Sequence, residues 1–224
     1  PLALTGLPIE ARVLEYDNNI LVNVITARHI DAYLTVAQDL AERAVTQNRA
    51  GILRCDPNRN ADQCAREFVT GLGLRAYRRP LTDLETNALL TLFQSAGSFD
   101  AGMRQAITAM LVSPNFLYRS EVGTPVGNGQ FKLTPYETAS ALSYLYLGSM
   151  PDQALFDAAA ANKLQTPQDL TAQAQRLINL PRAREQIGVF AGQWLGADPF
   201  QTGEKDRNVY PNYTDAVREA SDDE

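Results

Sequence analysis

Apolar residues recur at helical spacing along most of the chain. Between about residues 27 and 47 they follow an i, i+3, i+4, i+7 pattern, which is typical of an amphipathic helix with one face toward a core. The same spacing predicts three more helices, which end near Pro80, Gly97 and Ser113. Later helices are predicted near 151–161, 167–179 and 182–195. We therefore expect a mostly α-helical chain.

Three helix starts carry their own sequence signal. In "TPYETASALSYLYLG", Thr134 is placed to cap the helix, a proline follows at the first helical position, and Glu137 completes a capping box. Thr82 and Glu85 repeat this spacing, and "TPQDL" at 166–170 repeats the Thr-Pro start. A helix is predicted to begin at each of these sites.

The glycine-rich stretch "GTPVGNGQ" at 123–130 is the strongest turn signal in the chain. Residues 116–122 and 130–133 flank it and are predicted to be extended pieces that pair as a small hairpin. The expected fold class is all-α, a multi-helix bundle-like array in two packed subdomains, 1–122 and 123–224, with one short β-hairpin between them. The stretch from about 10 to 25 is expected to be irregular.

Composition limits the classes of partner. The 224 residues carry a formal net charge of -6, and a nucleic-acid surface needs concentrated Lys and Arg, so no nucleic-acid partner is expected. No run of about 18 apolar residues occurs, so no membrane span is expected. The first residues lack the basic region of a signal peptide, and the last ones break off inside an apparent helix start. We expect a piece of a longer protein, truncated at its C-terminus.

The stretch "RCDPNRNADQC" at 54–64 alternates Asp and Asn with other residues, as calcium loops do. Counted from its first aspartate, the ligand positions of an EF-hand-like loop fall on Asp56, Asn58, Asn60, Asp62 and Glu67. Against calcium, Ala61 stands where such a loop needs glycine, and Pro57 stiffens it. The alternative is a polar turn in which Asx side chains bond their own backbone and Asp62 caps the next helix.

Both cysteines of the chain, Cys55 and Cys64, bound this stretch. Their spacing matches no zinc pattern, and His29 is the single histidine. A disulfide closing this short loop is the favoured interpretation and predicts an oxidising compartment. Two buried free thiols are the alternative.

The chain shows no recognisable catalytic signature. A Ser-His-Asp triad would have to use His29, which has no signalled partner. No Cys-x-x-Cys-His motif occurs, so no c-type haem is expected on this chain. We expect no attached cofactor, with Ca²⁺ as the open alternative described above.

Arginines gather where the second predicted helix ends, in "LRAYRRPLTDLE". Cations complement a helix C-terminus, and guanidinium groups also pair with carboxylates or bind anions. In "SPNFLYRSE", Tyr118 and Arg119 lie on a segment that could form a groove or an internal contact. The candidate binding residues are Arg75, Arg78, Arg79, Tyr118, Arg119 and Trp194, the last from the apolar side of the final helix.

Four motifs occur in one order along the chain: "CAREFVTGLGLRAYRRPLTDLE", "GMRQAITAMLVSPNFLYRSE", "LTPYETASALSYLYLGSMPDQALFDAAAANKL" and "RAREQIGVFAGQWLG". Together they resemble the DUF1595 and DUF1592 domains of large secreted proteins from planctomycetes and some proteobacteria, often described as cytochrome-associated. The resemblance places a DUF1595-like region from about residue 26 to 122 and a DUF1592-like region after it. Cys55, Cys64 and the "RAYRRP" block match the family pattern.

The resemblance implies an exported bacterial protein, periplasmic, cell-surface or extracellular, in which this chain is one part. Its expected partners are other domains of the same parent protein, such as a cytochrome c-like or carbohydrate-binding module. The expected function is a non-catalytic scaffold or interaction module linked to extracellular polysaccharide handling or electron transfer. One alternative is an enzyme with a site in a cleft between the two helical halves; another is a calcium-stabilised binding module.

Overall fold

A computed structural model of the chain describes residues 7, 24–195, 206, 209, 210, 212 and 214. In this part, ten helices and two short strands follow one another. They are α1 Ala27–Gln47, α2 Arg49–Ile52, α3 Ala61–Tyr77, α4 Asp83–Gln94, α5 Phe99–Leu111, α6 Pro114–Leu117, β1 Thr124–Gly127, β2 Gln130–Lys132, α7 Pro135–Leu147, α8 Gln153–Ala160, α9 Pro167–Ile178 and α10 Pro181–Leu195. The predicted mostly helical fold with one short hairpin is confirmed. The predicted irregular stretch lies almost wholly outside the described residues.

Helix α5 is the centre of the first core, because α1, α3 and α4 all pack against it. Its inward residues Met103, Ala106 and Met110 are fully buried. The ring of Phe93 on α4 meets that of Phe99 edge-on, with centroids 4.9 Å apart. The helical spacing of apolar residues seen in the sequence is therefore the spacing of this core.

The helix starts marked in the sequence are formed. Thr82 and Glu85 make a capping box at α4, and Thr134 and Glu137 make another at α7. Thr166 donates its hydroxyl to the Asp169 carboxylate at the start of α9, at 2.7 Å. These caps satisfy backbone N–H groups that the first helical turn leaves unpaired.

The first strand of the hairpin does not lie where the sequence predicted. Residues 114–117 form α6, because Ser113 caps this turn and a proline stands at its first position. The prediction that 116–122 is an extended piece paired in the hairpin was wrong, because its first two residues belong to α6 and the rest precedes the first strand. The strand comes instead from Thr124–Gly127, inside the predicted turn. The turn itself is Asn128-Gly129, both with positive φ, as tight hairpins require.

Contacts group the described residues 25–177 into one compact unit and 178–195 into another. In the first unit, α7 packs on α8, where Leu155 and Ala139 are fully buried. The predicted domain boundary between 122 and 123 stays a prediction. No helix among the described residues is long and apolar enough to cross a membrane.

Two helical glycines give opposite predictions for substitution by alanine. A Cβ on Gly102 would lie 2.5 Å from the Phe93 ring and 2.7 Å from its carbonyl oxygen, whereas a Cβ on Gly71 would meet nothing within 4 Å. Gly102→Ala should destabilise the fold by about 1–3 kcal/mol through overpacking. Gly71→Ala should stabilise it by about 0.5–1 kcal/mol, because glycine is costly inside a helix. Urea unfolding of both variants measures this, and equal effects would contradict the packing of α4 on α5.

Candidate functional site

The predicted disulfide between Cys55 and Cys64 is present, with the two Cα atoms 5.5 Å apart. Cys64 lies in the first turns of α3 and is fully buried in the core, whereas Cys55 is partly buried. The bridge therefore ties the loop before α3 to the same core that α5 organises.

The Asp and Asn side chains of this loop bond their own backbone. An Asp56 carboxylate oxygen accepts from the backbone N–H of Asn58 at 3.0 Å, which is an Asx turn. Asn60 caps α3, since its side-chain oxygen accepts from the N–H of Gln63 at 3.0 Å. The prediction that Asp62 caps this helix was wrong by two positions. Asp62 lies in the first turn, where its charge complements the helix dipole.

The five predicted calcium ligands are not drawn together in the described structure. All five side chains are exposed, and Glu67 accepts a hydrogen bond from the side chain of Gln63 at 2.8 Å. Within residues 24–195 and the few described later, no group of three or more His, Cys, Asp or Glu side chains is placed to share a metal ion. The calcium hypothesis stays a prediction.

Arg78 occupies the left-handed position that ends α3, with φ 60°, and is only 7% exposed. Its guanidinium donates to the carbonyl oxygens of Asn115, Phe116 and Tyr118 at 2.5, 3.2 and 2.7 Å. These carbonyls lie at the C-terminal end of α6, where cations are favoured. The left-handed backbone costs a non-glycine residue about 1–2 kcal/mol, which these hydrogen bonds offset.

The Glu85 carboxylate collects donors from three neighbouring segments. Arg79 donates to both of its oxygens, at 2.9 and 2.8 Å. The side-chain amide of Asn115 donates at 3.1 Å and the backbone N–H of Thr82 at 2.8 Å. The hydrogen bonds from Arg79, more than any other cause, lower the pKa of Glu85 to about 2. This carboxylate thereby joins the end of α3, the start of α4 and the turn of α6.

Glu137 plays a similar part at the start of α7. One carboxylate oxygen accepts from the N–H groups of Val122 and Gly123 at 2.9 and 3.0 Å, and the other from Thr134 at 2.7 Å. Burial acts to raise the pKa of Glu137, but the three backbone donors outweigh it and hold that pKa below its usual value. The chain entering the hairpin is thus tied to the helix that follows it.

Arg119 contacts helix α7 through a partly exposed side chain. Its guanidinium lies 4.9 Å from the centre of the Tyr144 ring, a cation–π contact, and pairs with Glu121 at 3.2 Å. The side chain is 46% exposed, so both interactions are weak individually. They nevertheless hold the guanidinium in one place.

An open pocket of about 160 Å³ lies among these groups, inside the unit formed by residues 25–177. Four of the six predicted binding residues line it: Arg78, Arg79, Tyr118 and Arg119. Arg75 is exposed on α3 and does not line it. Trp194 lies on α10 in the other unit, exposed, with its ring stacked on Phe190 at a centroid distance of 6.2 Å.

Sequence reasoning missed the wall of the pocket that α7 provides, namely Tyr136, Glu137 and Ser140. Glu137 was recognised as part of a helix cap, and Ser140 stands about one turn after Tyr136. The four-residue spacing of Tyr136 and Ser140 was the signal that both lie on one face of α7, but the sequence does not reveal what that face packs against. Ser140 is 3% exposed, and its hydroxyl has no hydrogen-bond partner among the described residues.

The described pocket wall offers arginines, tyrosines and one carboxyl group to a ligand. Its lining contains neither histidine nor cysteine among the described residues, and Glu137 is its single carboxyl group. A general acid or base works best with a pKa near the operating pH, whereas the pKa of Glu137 is lowered and both its oxygens already accept hydrogen bonds.

Comparison with known families agrees with the motifs. Residues 133–224 match the family model described as "Protein of unknown function (DUF1592)", and residues 64–121 match the one described as "Protein of unknown function (DUF1595)". The chain contains a DUF1595 domain followed by a DUF1592 domain. No curated protein and no solved structure matches the chain.

The pocket is built by both family segments. Arg78, Arg79, Tyr118 and Arg119 fall in the DUF1595 match, and the α7 wall falls in the DUF1592 match. The hydrogen bonds from Val122 and Gly123, which lie between the two matches, join this linker to the DUF1592 segment at Glu137.

Replacing Glu85 by glutamine should destabilise the protein by about 2 kcal/mol at neutral pH, since the charge that Arg79 binds is lost. Because the folded pKa of about 2 lies below the unfolded value, the stabilisation is present above about pH 4.5. It disappears as pH falls from there to about 2. Glu85→Gln should therefore flatten the acid limb of stability against pH, measured by urea unfolding.

Glu42→Gln is the matched control for this experiment. Glu42 pairs with Arg104 at 2.6 Å but is 56% exposed, so its removal should change stability by less than about 1 kcal/mol. If the two variants were equally stable and equally sensitive to acid, Glu85 would not be the support that its contacts indicate.

Thermal melts with calcium and with EDTA test the metal hypothesis. The oxygens of Asp56, Asn60 and Glu67 already accept hydrogen bonds, so we expect the same Tm in both conditions. Asn60→Ala should cost about 1 kcal/mol through loss of the helix cap in either condition. A Tm raised by calcium in the wild type, and no longer in Asn60→Ala, would establish a calcium site.

Proposed function

We propose that this chain is a non-catalytic interaction module of an exported bacterial multidomain protein, linked to extracellular polysaccharide handling or to electron transfer. The observation that carries the proposal is how its clustered arginines are used. Arg78 is held by three carbonyl oxygens and Arg79 by the Glu85 carboxylate. Arginines that support the walls of a pocket are suited to shaping a binding surface and less suited to moving during a reaction.

The disulfide supports the exported location. Structural disulfides persist in oxidising compartments, and this one joins a partly buried cysteine to a fully buried one. An exported parent protein would place the module beside its other domains, such as a cytochrome c-like or carbohydrate-binding one. The 224 residues contain no Cys-x-x-Cys-His motif, so in an electron-transfer role the haem would belong to such a neighbour.

Polysaccharide is the favoured partner because of the side chains around the pocket. Tyr77, Tyr118 and Tyr136 line it together with the arginines. Aromatic rings offer flat apolar surface and a hydroxyl at one end, and guanidinium groups supply fixed donors. Sugar rings, which combine apolar faces with many hydroxyls, complement such a lining.

The enzyme alternative draws on the same pocket, which is concave, open to solvent and lined by converging polar groups. It would use Arg119 and Tyr118 on a substrate, with Glu137 as the carboxyl group that the described pocket wall provides. The two proposals differ in turnover, which can be measured directly.

Native electrophoresis through gels containing polygalacturonate, or a neutral galactan, tests the proposal. We expect the polymer to slow the protein without any new reducing ends appearing in solution. Because the net charge of -6 is repelled by polygalacturonate, slowing in that gel requires a specific site. An unrelated acidic protein is the mobility control. New reducing ends would favour the enzyme alternative, and unchanged mobility in both gels would overturn the polysaccharide link.

A further inference from the structure

The buried guanidinium of Arg78 has no negatively charged partner. All its hydrogen bonds go to neutral carbonyl oxygens, and no carboxylate of the described residues lies within ion-pairing distance of it. A buried charge without a counter-charge is unfavourable, even when its hydrogen bonds are made. Among the described residues, the three bonds leave two of the five guanidinium N–H groups available to a ligand or to water. A negatively charged group in the pocket would supply the missing counter-charge.

The hydroxyl of Ser140 is a second, independent sign of a missing partner. It is buried on the α7 wall of the pocket and donates to no acceptor among the described residues. Ser143, one turn later on α7, is equally buried but donates to the carbonyl oxygen of Met150 at 3.0 Å. Buried hydroxyls are normally hydrogen-bonded, as Ser143 is. An acceptor atom of a ligand in the pocket would give the Ser140 hydroxyl the hydrogen-bond partner that it lacks.

The other charged groups around the pocket have partners within the protein. Arg79 and Arg119 line it and are paired with Glu85 and Glu121, which lie outside its lining. Glu137 is the single carboxylate on the described wall, and three backbone N–H groups hold it. Arg78 is therefore the guanidinium of the pocket wall that has no carboxylate partner among the described residues.

We propose that this pocket binds a carboxylate-bearing ligand, in the form of a single uronate unit of an acidic polysaccharide. A pocket of about 160 Å³ suits one small ligand or a single unit of a longer one. The carboxylate would lie toward Arg78 and Arg119, with the sugar ring against the tyrosines. The inference rests on the proposed role in binding without turnover, and a free small acid offers the same recognised group.

Isothermal titration with sodium galacturonate is the direct measurement, with galactose and acetate as comparison ligands at one ionic strength. We expect galacturonate to bind with a dissociation constant on the order of 1 mM, as is usual for a ligand of this size, and galactose to show no binding. Acetate binding as tightly as galacturonate would identify a free small acid as the source of the carboxylate. Equal binding of galactose and galacturonate, or no binding of either carboxylate, would overturn the proposal.

Two serine variants on the same helix separate a role in binding from a role in folding. Ser140→Ala should weaken galacturonate binding by about tenfold and leave the Tm unchanged or higher, because no hydrogen bond of the free protein is lost. Ser143→Ala should lower the Tm, because its bond to Met150 is lost, and leave binding within twofold. The reverse pattern, or no effect of Ser140→Ala on binding, would contradict the proposal.

Arg119→Gln tests the charge and should weaken binding by about tenfold. Arg43→Gln is its matched control, since Arg43 is 45% exposed and pairs with Asp39 on α1, away from the pocket. The control should bind as the wild type does.

The gel and the titration together show which proposal fails. If polygalacturonate slows the wild type and Arg119→Gln alike while galacturonate does not bind, the pocket proposal fails and the interaction module stands. If the polymer slows neither but galacturonate binds, the pocket proposal stands without its polysaccharide source.

Discussion

The carboxylate of Glu85 and its ring of donors hold the most irregular part of this structure in place. Three segments end or begin there: α3 through Arg79, α4 through the Thr82 cap, and α6 through the side chain of Asn115. Helix ends expose unpaired N–H or carbonyl groups, so a place where three of them meet needs charged side chains to satisfy them. Glu85 supplies the negative charge, and the buried Arg78, which precedes Arg79 in the sequence, supplies the positive charge for the carbonyls of α6.

The pocket follows from this arrangement. Arg78 and Arg79 are both hydrogen-bonded to other parts of the protein, so the wall that they form is present without a ligand. The opposite wall is α7, whose first turn is tied to the linker by Glu137. The described wall of the pocket combines arginines and tyrosines with one carboxylate, Glu137, which already accepts three backbone hydrogen bonds.

The disulfide loop contributes in a different way. Its polar side chains are used locally, in an Asx turn and a helix cap, and Cys64 is buried in the core. The alternation of Asp and Asn that resembles a calcium loop is thus also what a tight polar turn before a helix requires. A calcium loop and a polar turn would both use Asp and Asn side chains at this spacing. Only the directions in which the side-chain oxygens point distinguish them.

The sequence by itself determined most of the helices and their ends and favoured the disulfide, because each depends on residues close together in the chain. Apolar periodicity placed α1, α4 and α5, and the Thr–Glu pairs placed the starts of α4 and α7. The sequence pattern misplaced the first strand. Ser113-Pro114 begins a helical turn where an extended segment was predicted, and Asn128-Gly129 forms the turn of the hairpin. The sequence pattern also grouped Arg75 and Trp194 with the pocket residues by residue type alone. Only the tertiary structure decided that Arg78 meets the end of α6, that Ser140 faces a cavity, and that Glu85 unites three segments. Those contacts join residues far apart in sequence, and local patterns carry no information about which helix faces which.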